Sequence, residues 1–275
     1  MGRIARGWHL ATVSLRVVRS DASLSVLVML GGVASAATAL AFLVPAAVAY
    51  SIEEKWLAGA IAVVGVYLAT LVATYFAVAL AAAAAEVLDG RGATVSGGTA
   101  VASARLGAIA GWALVLTTVN LVLQALRSRA GILGNLLLGA ATVAWGLATF
   151  LVVPVVALEG LGPLAALDRS ATLFRQRFGE QLVGTASIGV LFAVLGTLPA
   201  VALISLGLAS GSTALAIALV VVGVLVAVAA GVLGSAARAV FSVALYRYAS
   251  GSGGTGPFTD GDLESAVARK GGYAV

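Results

Sequence analysis

PVVALEGLGPLAALDRSATLFRQRFGE, residues 154–180, lies between two long apolar runs and carries six charged residues: Glu159, Asp168, Arg169, Arg175, Arg177 and Glu180. The surrounding chain of 275 residues is 61% hydrophobic and has only 16 basic and 11 acidic residues. On a helix from Pro163 to Gln181, the apolar residues Leu164, Leu167, Ala171, Phe174 and Phe178 recur at alternating steps of three and four and form one stripe. Asp168, Arg169, Thr172, Gln176 and Glu180 fall on other faces. Pro163 suits a first helical position after Gly162. The segment is too short and too charged to cross a bilayer. Burying its four large apolar side chains would gain roughly 6–12 kcal/mol as an upper bound. The spacing therefore predicts an interfacial helix at about 163–181, with its arginines toward anionic headgroups.

Composition sets the solvent. A soluble domain carries about 25% charged residues, whereas this chain has 10% and a mean hydropathy of +1.10. One core cannot hide that much apolar surface, so the bilayer is part of the environment. The net charge of +5 reads as a topology signal, not as a nucleic-acid interface. The chain has no Cys and a single His, His9, so thiol chemistry and a histidine metal cluster are excluded. Trp8 and His9 interrupt the N-terminus, and no cleaved signal peptide is expected.

Six apolar runs reach the ~20 helical residues a crossing needs. They lie at about 25–50, 56–85, 106–126, 132–157, 182–208 and 213–246. With the N-terminus inside, the inner segments hold Arg3, Arg6, Arg16, Arg19, Arg91, Arg105, Arg169, Arg175, Arg177, Arg238, Arg247, Arg269 and Lys270, and the outer ones only Lys55, Arg127 and Arg129. That asymmetry predicts both termini in the cytoplasm. The outer loops SIEEK, RSRAG and ASGS are too short for an extracellular domain. Residues 250–275 start Gly-rich and read as a cytoplasmic flexible tail.

The N-terminus repeats the opening pattern. Ile4, Trp8, Ala11, Leu15 and Val18 form an apolar stripe opposite His9, Thr12, Arg16 and Arg19, predicting a second interfacial helix at about 3–20. A weaker version, TAVASAR, precedes the third run at 99–105. ATVSLR at 11–16, AVASAR at 100–105 and ALDRSATL at 166–173 suggest three units, each an interfacial helix followed by a helical hairpin. The alternative is that inner loops simply share Arg, Ser and Ala.

Chemistry-bearing residues are few. No HExxH or P-loop occurs, and a Ser-His-Asp triad would have to use His9 on the Arg-bearing face of its helix. GSGGTG at 251–256 is a linker, since no strand precedes it. Asn120 and Gln124 share a face of the third run, as a polar lining or as an interhelical hydrogen bond. Glu86 and Glu159 end the second and fourth runs, within reach of Arg91, Arg105 or Arg169 at the inner boundary. Arg238 lies about 25 residues into the sixth run, where an inner headgroup is expected. Gly223, Ala227, Gly231, Ser235 and Ala239 recur every four residues there and form a small-residue packing ridge. Arg16, Arg19, Arg169, Arg175 and Arg177 are the candidate lipid-headgroup contacts.

Three stretches carry a resemblance: GRIARGWHLATVSLRVVRSDASLSVL at 2–27, AAAAAEVLDGRGATVSGGTAVASARLGAIAGWALV at 81–115, and GLATFLVVPVVALEGLGPLAALDRSATLFRQRFGEQLVG at 146–184. Together they resemble domain-of-unknown-function family 6159, prokaryotic multi-pass membrane proteins. The Pro154–Glu159–Ser170 spacing is the most specific part. It is distantly similar to membrane domains attached to glycerophosphoryl diester phosphodiesterases, whose chemistry belongs to a separate soluble domain. The resemblance implies fold and location, and it supplies no catalytic residue.

The sequence thus predicts an all-α integral membrane protein of six transmembrane helices, spanning residues 1–249, with amphipathic interfacial helices on the cytoplasmic side. It predicts a non-enzymatic scaffold of the cell membrane, with no catalytic, cofactor or metal site. Its partners are membrane lipids, with homo-oligomers or other membrane proteins, and no nucleic acid. The alternative is a small-solute or ion channel or transporter, which requires a continuous polar path.

Overall fold

A computed structural model describes residues 12–14, 16–178, 198–199, 201–203, 205–207, 209–251 and 256–258; side chains at 132, 177–178, 213–214, 217, 221, 224–225 and 227–233 lie outside the description. Among the described residues the regular elements are all α-helices: α1 (Ala22–Ser51), α2 (Lys55–Leu88), α3 (Val95–Ala104), α4 (Leu106–Arg127), α5 (Ile132–Thr149), α6 (Val152–Leu158), α7 (Pro163–Phe178) and α8 (Thr213–Ser250). Residues 12–14 and 16–20 are also helical and lead into α1. Among the described residues, four helical stretches are long and apolar enough to cross a membrane: Ala22–Ser51, Lys55–Leu88, Leu106–Arg127 and Leu133–Leu158. Most of the fifth predicted run, 182–208, falls outside the described residues, as do Ile4, Trp8, His9, Ala11 and Leu15 of the N-terminal stripe.

The α1–α2 hairpin sets the register. A Cβ on Gly31 would come within 2.6 Å of Phe76 Cβ, and one on Gly65 would collide with Phe42. Each helix thus offers a glycine notch to the other's phenylalanine, and the two pairings share one antiparallel register. A small-residue approach of the kind read on the sixth run occurs here. In α8, Gly223 is buried, Ala239 half-buried and Ser235 exposed; the side chains of Ala227 and Gly231 lie outside the description.

Burial is concentrated at one end of the bundle. Val78–Ala85 of α2 are all buried, together with Leu24 and Leu27 of α1, Ile109 and Trp112 of α4, Val155 and Val156 of α6, and Val240–Leu245 of α8. The Ala-rich lower part of α2 is enclosed because methyl groups let helices approach on every side. At the opposite end apolar side chains are bare: Val33, Leu40, Trp56, Leu133 and Leu136 are 61–75% exposed. Water does not tolerate an apolar surface of that extent, whereas acyl chains do. The packed end is also the arginine-rich end.

Two expectations change here. The fourth run holds as one membrane-long stretch, Leu133–Leu158, but its helix is interrupted at Phe150–Leu151 between α5 and α6. Pro154 lacks an N–H, and its ring crowds the carbonyl four residues back, that of Phe150. The C-terminal tail does not leave the bundle at once. Phe258 is 3% exposed and meets Phe241 edge-on at 6.4 Å, because one aromatic after a short glycine linker finds the apolar end of α8. Residues 252–255 and 259–275 lie outside the description.

The opening segment forms α7, but its bundle face is not the predicted stripe. Ala166, Ser170, Leu173 and Phe174 are buried, while Leu167 and Ala171 are half-buried and Leu164 is 69% exposed. At about 100° per residue, α7 therefore has three flanks. One meets the bundle, one is apolar and only partly covered (Leu164 exposed, Leu167 and Ala171 half-buried), and one is polar (Asp168, Thr172, Arg175, Gln176).

Candidate functional site: a polar seam across the packed end

The Pro154 break leaves backbone groups without helical partners, and Ser170 supplies them. Its hydroxyl donates to the Ala148 carbonyl at 2.6 Å and accepts from the Leu151 N–H at 3.2 Å. Ser170 itself is fully buried. Pro154 and Ser170 therefore belong to one device, in which the proline opens the helix and the serine of α7 closes the opening and docks α7.

Glu159 is the second node. It ends α6, and Gly160 turns the chain with φ +71°. Glu159 Oε1 accepts from Arg169 Nε at 3.0 Å and from the Tyr246 hydroxyl at 2.6 Å. The Arg105 guanidinium lies against Gly160, where any Cβ would collide with it.

Asp89, just past α2, is the third node. Arg247 reaches both of its carboxylate oxygens, one of them at 3.0 Å, and donates to the Ala85 carbonyl at 3.1 Å. Arg91 joins from the exposed side at 2.9 Å. The hydrogen bonds from Arg247 hold the Asp89 carboxyl below its ordinary pKa, against the opposing effect of burial. Asp21 caps α1 through the Ser23 N–H at 2.8 Å and binds the Ala93 N–H at 2.8 Å, while the Ser23 hydroxyl returns a bond to the Ala93 carbonyl. Burial acts to raise the Asp21 carboxyl, and the backbone donors outweigh it, so its pKa is lowered.

The predicted site residues divide. Arg169 joins the seam, while Arg16, Arg19 and Arg175 are exposed and the Arg177 side chain lies outside the description. Glu86 is half-buried and makes no ion pair among the described residues; Arg91, one of its expected partners, goes to Asp89 instead. Asn120 and Gln124 are exposed, and neither side chain makes a hydrogen bond among the described residues, so the expected interhelical bond is not formed there. Asp21, Asp89, Tyr246 and Arg247 were not singled out. Their signal is positional: acids just outside helix ends, and a Tyr-Arg pair closing the last apolar run.

Two adjoining clefts sit above the seam, of about 430 Å³ between α1, α2 and α8 and about 590 Å³ between α1, α2 and α4. Ser35, Ala73, Ala77 and Val153 line both, and Arg238 lines the smaller. Neither is lined by Glu86, Asn120, Gln124 or Glu159. Among the described residues no three His, Cys, Asp or Glu side chains gather as a metal site. The seam's carboxylates face arginine, tyrosine and backbone N–H groups, an arrangement that ties helices together.

A family model described as "Family of unknown function (DUF6159)" matches residues 57–257, well over half of the chain. No curated protein and no solved structure matches the chain, and the likeness to phosphodiesterase-linked membrane domains is not shown.

Proposed function

The chain belongs to DUF6159, and from that premise we propose that it is a non-enzymatic, multi-pass protein of a prokaryotic cell membrane that organises lipids or partner proteins at the inner leaflet. In this reading six helices cross the bilayer and both termini are cytoplasmic. The packed, arginine-rich end forms a platform at and below the inner headgroups. Among the described basic residues, Lys55, Arg127 and Arg129 lie outside that end, which supports the orientation. The N-terminal helix and α7 lie at the interface, with Arg16, Arg19 and Arg175 free to meet phosphates.

The observation that carries this reading is the use made of the seam. Its acids are spent on tying α1, α2, α6, α7 and α8 together, and Glu86, Asn120, Gln124 and Glu159, the residues from which a solute path was expected, line neither of the two clefts. Flux through proteoliposomes tests it. The full chain reconstituted in phosphatidylethanolamine–phosphatidylglycerol vesicles should leave proton, potassium and small-solute leak at the protein-free level. Flux above that level would favour the channel or transporter instead.

A further inference from the structure

Arg238 is the only charged residue in α8 before Arg247. It is exposed, and no acid pairs with it among the described residues. Thr213, the first residue of α8, lies 25 residues before Arg238; at ~1.5 Å per residue this is roughly 38 Å. A hydrocarbon core is ~30 Å thick, so a helix starting at one face brings Arg238 into the headgroup layer of the other. The guanidinium is thus placed at the depth of a lipid phosphate.

The cleft that Arg238 lines is otherwise apolar or hydroxylic. Gly31, Gly32 and Ser35 of α1, Ala73, Phe76 and Ala77 of α2, and Ser235 and Ser242 of α8 form its walls. Ser35 Oγ is buried without a hydrogen-bond partner. The larger cleft shares Ser35, Ala73 and Ala77 and continues along α1 to Leu43. From Gly31 to Leu43 is about 18 Å along the helix, close to half the ~30 Å core, the reach of one leaflet's acyl chain. A cation at headgroup depth, adjacent hydroxyls, and an apolar trough one leaflet long are the complement of one kind of molecule.

We propose that this trough binds an anionic phospholipid, its phosphate against Arg238 and one acyl chain along α1 and α2 past Ser35. The inference rests on the membrane-organising reading above and gives that reading a specific lipid site.

Native mass spectrometry of the full chain, purified from phosphatidylglycerol-containing membranes through delipidating detergent washes, tests it. The wild type should retain one phosphatidylglycerol in preference to phosphatidylcholine. Arg238→Gln should lower that retention several-fold, and Arg238→Lys should keep much of it. A Cβ on Gly32 meets open space, so Gly32→Leu should fill the trough and release the lipid at an unchanged melting temperature. Arg129→Gln, exposed in the turn between α4 and α5, is the surface control and should retain the lipid. Equal retention by wild type, Arg238→Gln and Gly32→Leu would overturn the site, as would no retention by wild type. Displacement by inorganic phosphate alone would also overturn it, since the acyl chain would then play no part. Proteoliposome flux is read separately, so loss of this site and loss of the scaffold reading are distinguishable.

Discussion

Arg247 grips Asp89 with two N–H donors across 158 positions of sequence, joining the last turn of α8 to the end of α2. The neighbouring Tyr246 binds Glu159 at 2.6 Å, so two adjacent side chains clasp the acids that end two different helices. Asp89 stays open to water and to Arg91, so losing Arg247 should cost about 0.2–1 kcal/mol. Arg247→Met should therefore lower the melting temperature in detergent. In the Asp89→Asn background the same change should cost much less, since the clasp is already broken.

The clasp also gives acid sensitivity a sign. Asp89 and Asp21 have lowered pKa values in the folded protein. Between those lowered values and the ordinary carboxylate range the unfolded chain binds more protons, so stability falls as pH drops. Both contributions are fully present above the ordinary carboxylate range and are lost as pH falls through the folded values. Melting temperature measured against pH should be level near neutrality and decline on entering that range. Arg247→Met should flatten the Asp89 part of the decline; an identical acid limb in both proteins would show that the clasp does not set it.

Ser170→Ala removes a hydroxyl and almost no volume. The Ala148 carbonyl and the Leu151 N–H would both lose their partner, so we expect a loss of about 1–3 kcal/mol. Pro154→Ala restores an N–H to the opened turn and removes the crowding at Phe150. In that background the serine should matter less, and a thermal double-mutant cycle reads the coupling. Full additivity would show that the two residues act independently.

Adjacent glycines of α1 should respond in opposite ways. Gly31→Ala places a methyl 2.6 Å from Phe76 Cβ and should destabilise by about 1–3 kcal/mol through overpacking. Gly32→Ala meets nothing within 4 Å and should be neutral or stabilising by about 0.4–1 kcal/mol. Thermal stability of the two variants in one detergent is sufficient to check the contrast.

These residues mark what could be read from the sequence. The long apolar helices followed from composition and length, because a bilayer demands runs of that kind. Which apolar flank meets protein did not follow, because lipid is as apolar as a core. The 164–167–171 stripe is genuine, yet the bundle covers 166, 170, 173 and 174, and Phe174 alone of the predicted large residues is described as fully buried there. The Pro154–Glu159–Ser170 spacing was visible as a pattern. Its meaning required the fold, because the serine closes the break from another helix. Glu86 is close in sequence to Arg91, one of the three arginines within its expected reach, but Asp89 occupies the position that Arg91 and Arg247 both reach. The Tyr246–Glu159 and Arg247–Asp89 ties link residues 87 and 158 apart, which periodicity within a helix does not report.

On the reading proposed above, α7 lies along the inner membrane surface, docked by Ser170, with its partly covered apolar flank toward lipid and its polar flank in water. Leu164 and Gln176 are both exposed in the protein and lie about 120° apart around the helix, so any difference between them comes from the membrane and not from the bundle. Spin labels at 164 and 176 in the reconstituted full chain test this by depth. Position 164 should be relaxed by oxygen and shielded from a water-soluble paramagnetic agent, and position 176 should be open to that agent. Equal access of the water-soluble agent to both positions would contradict the account, since α7 would then stand clear of the bilayer.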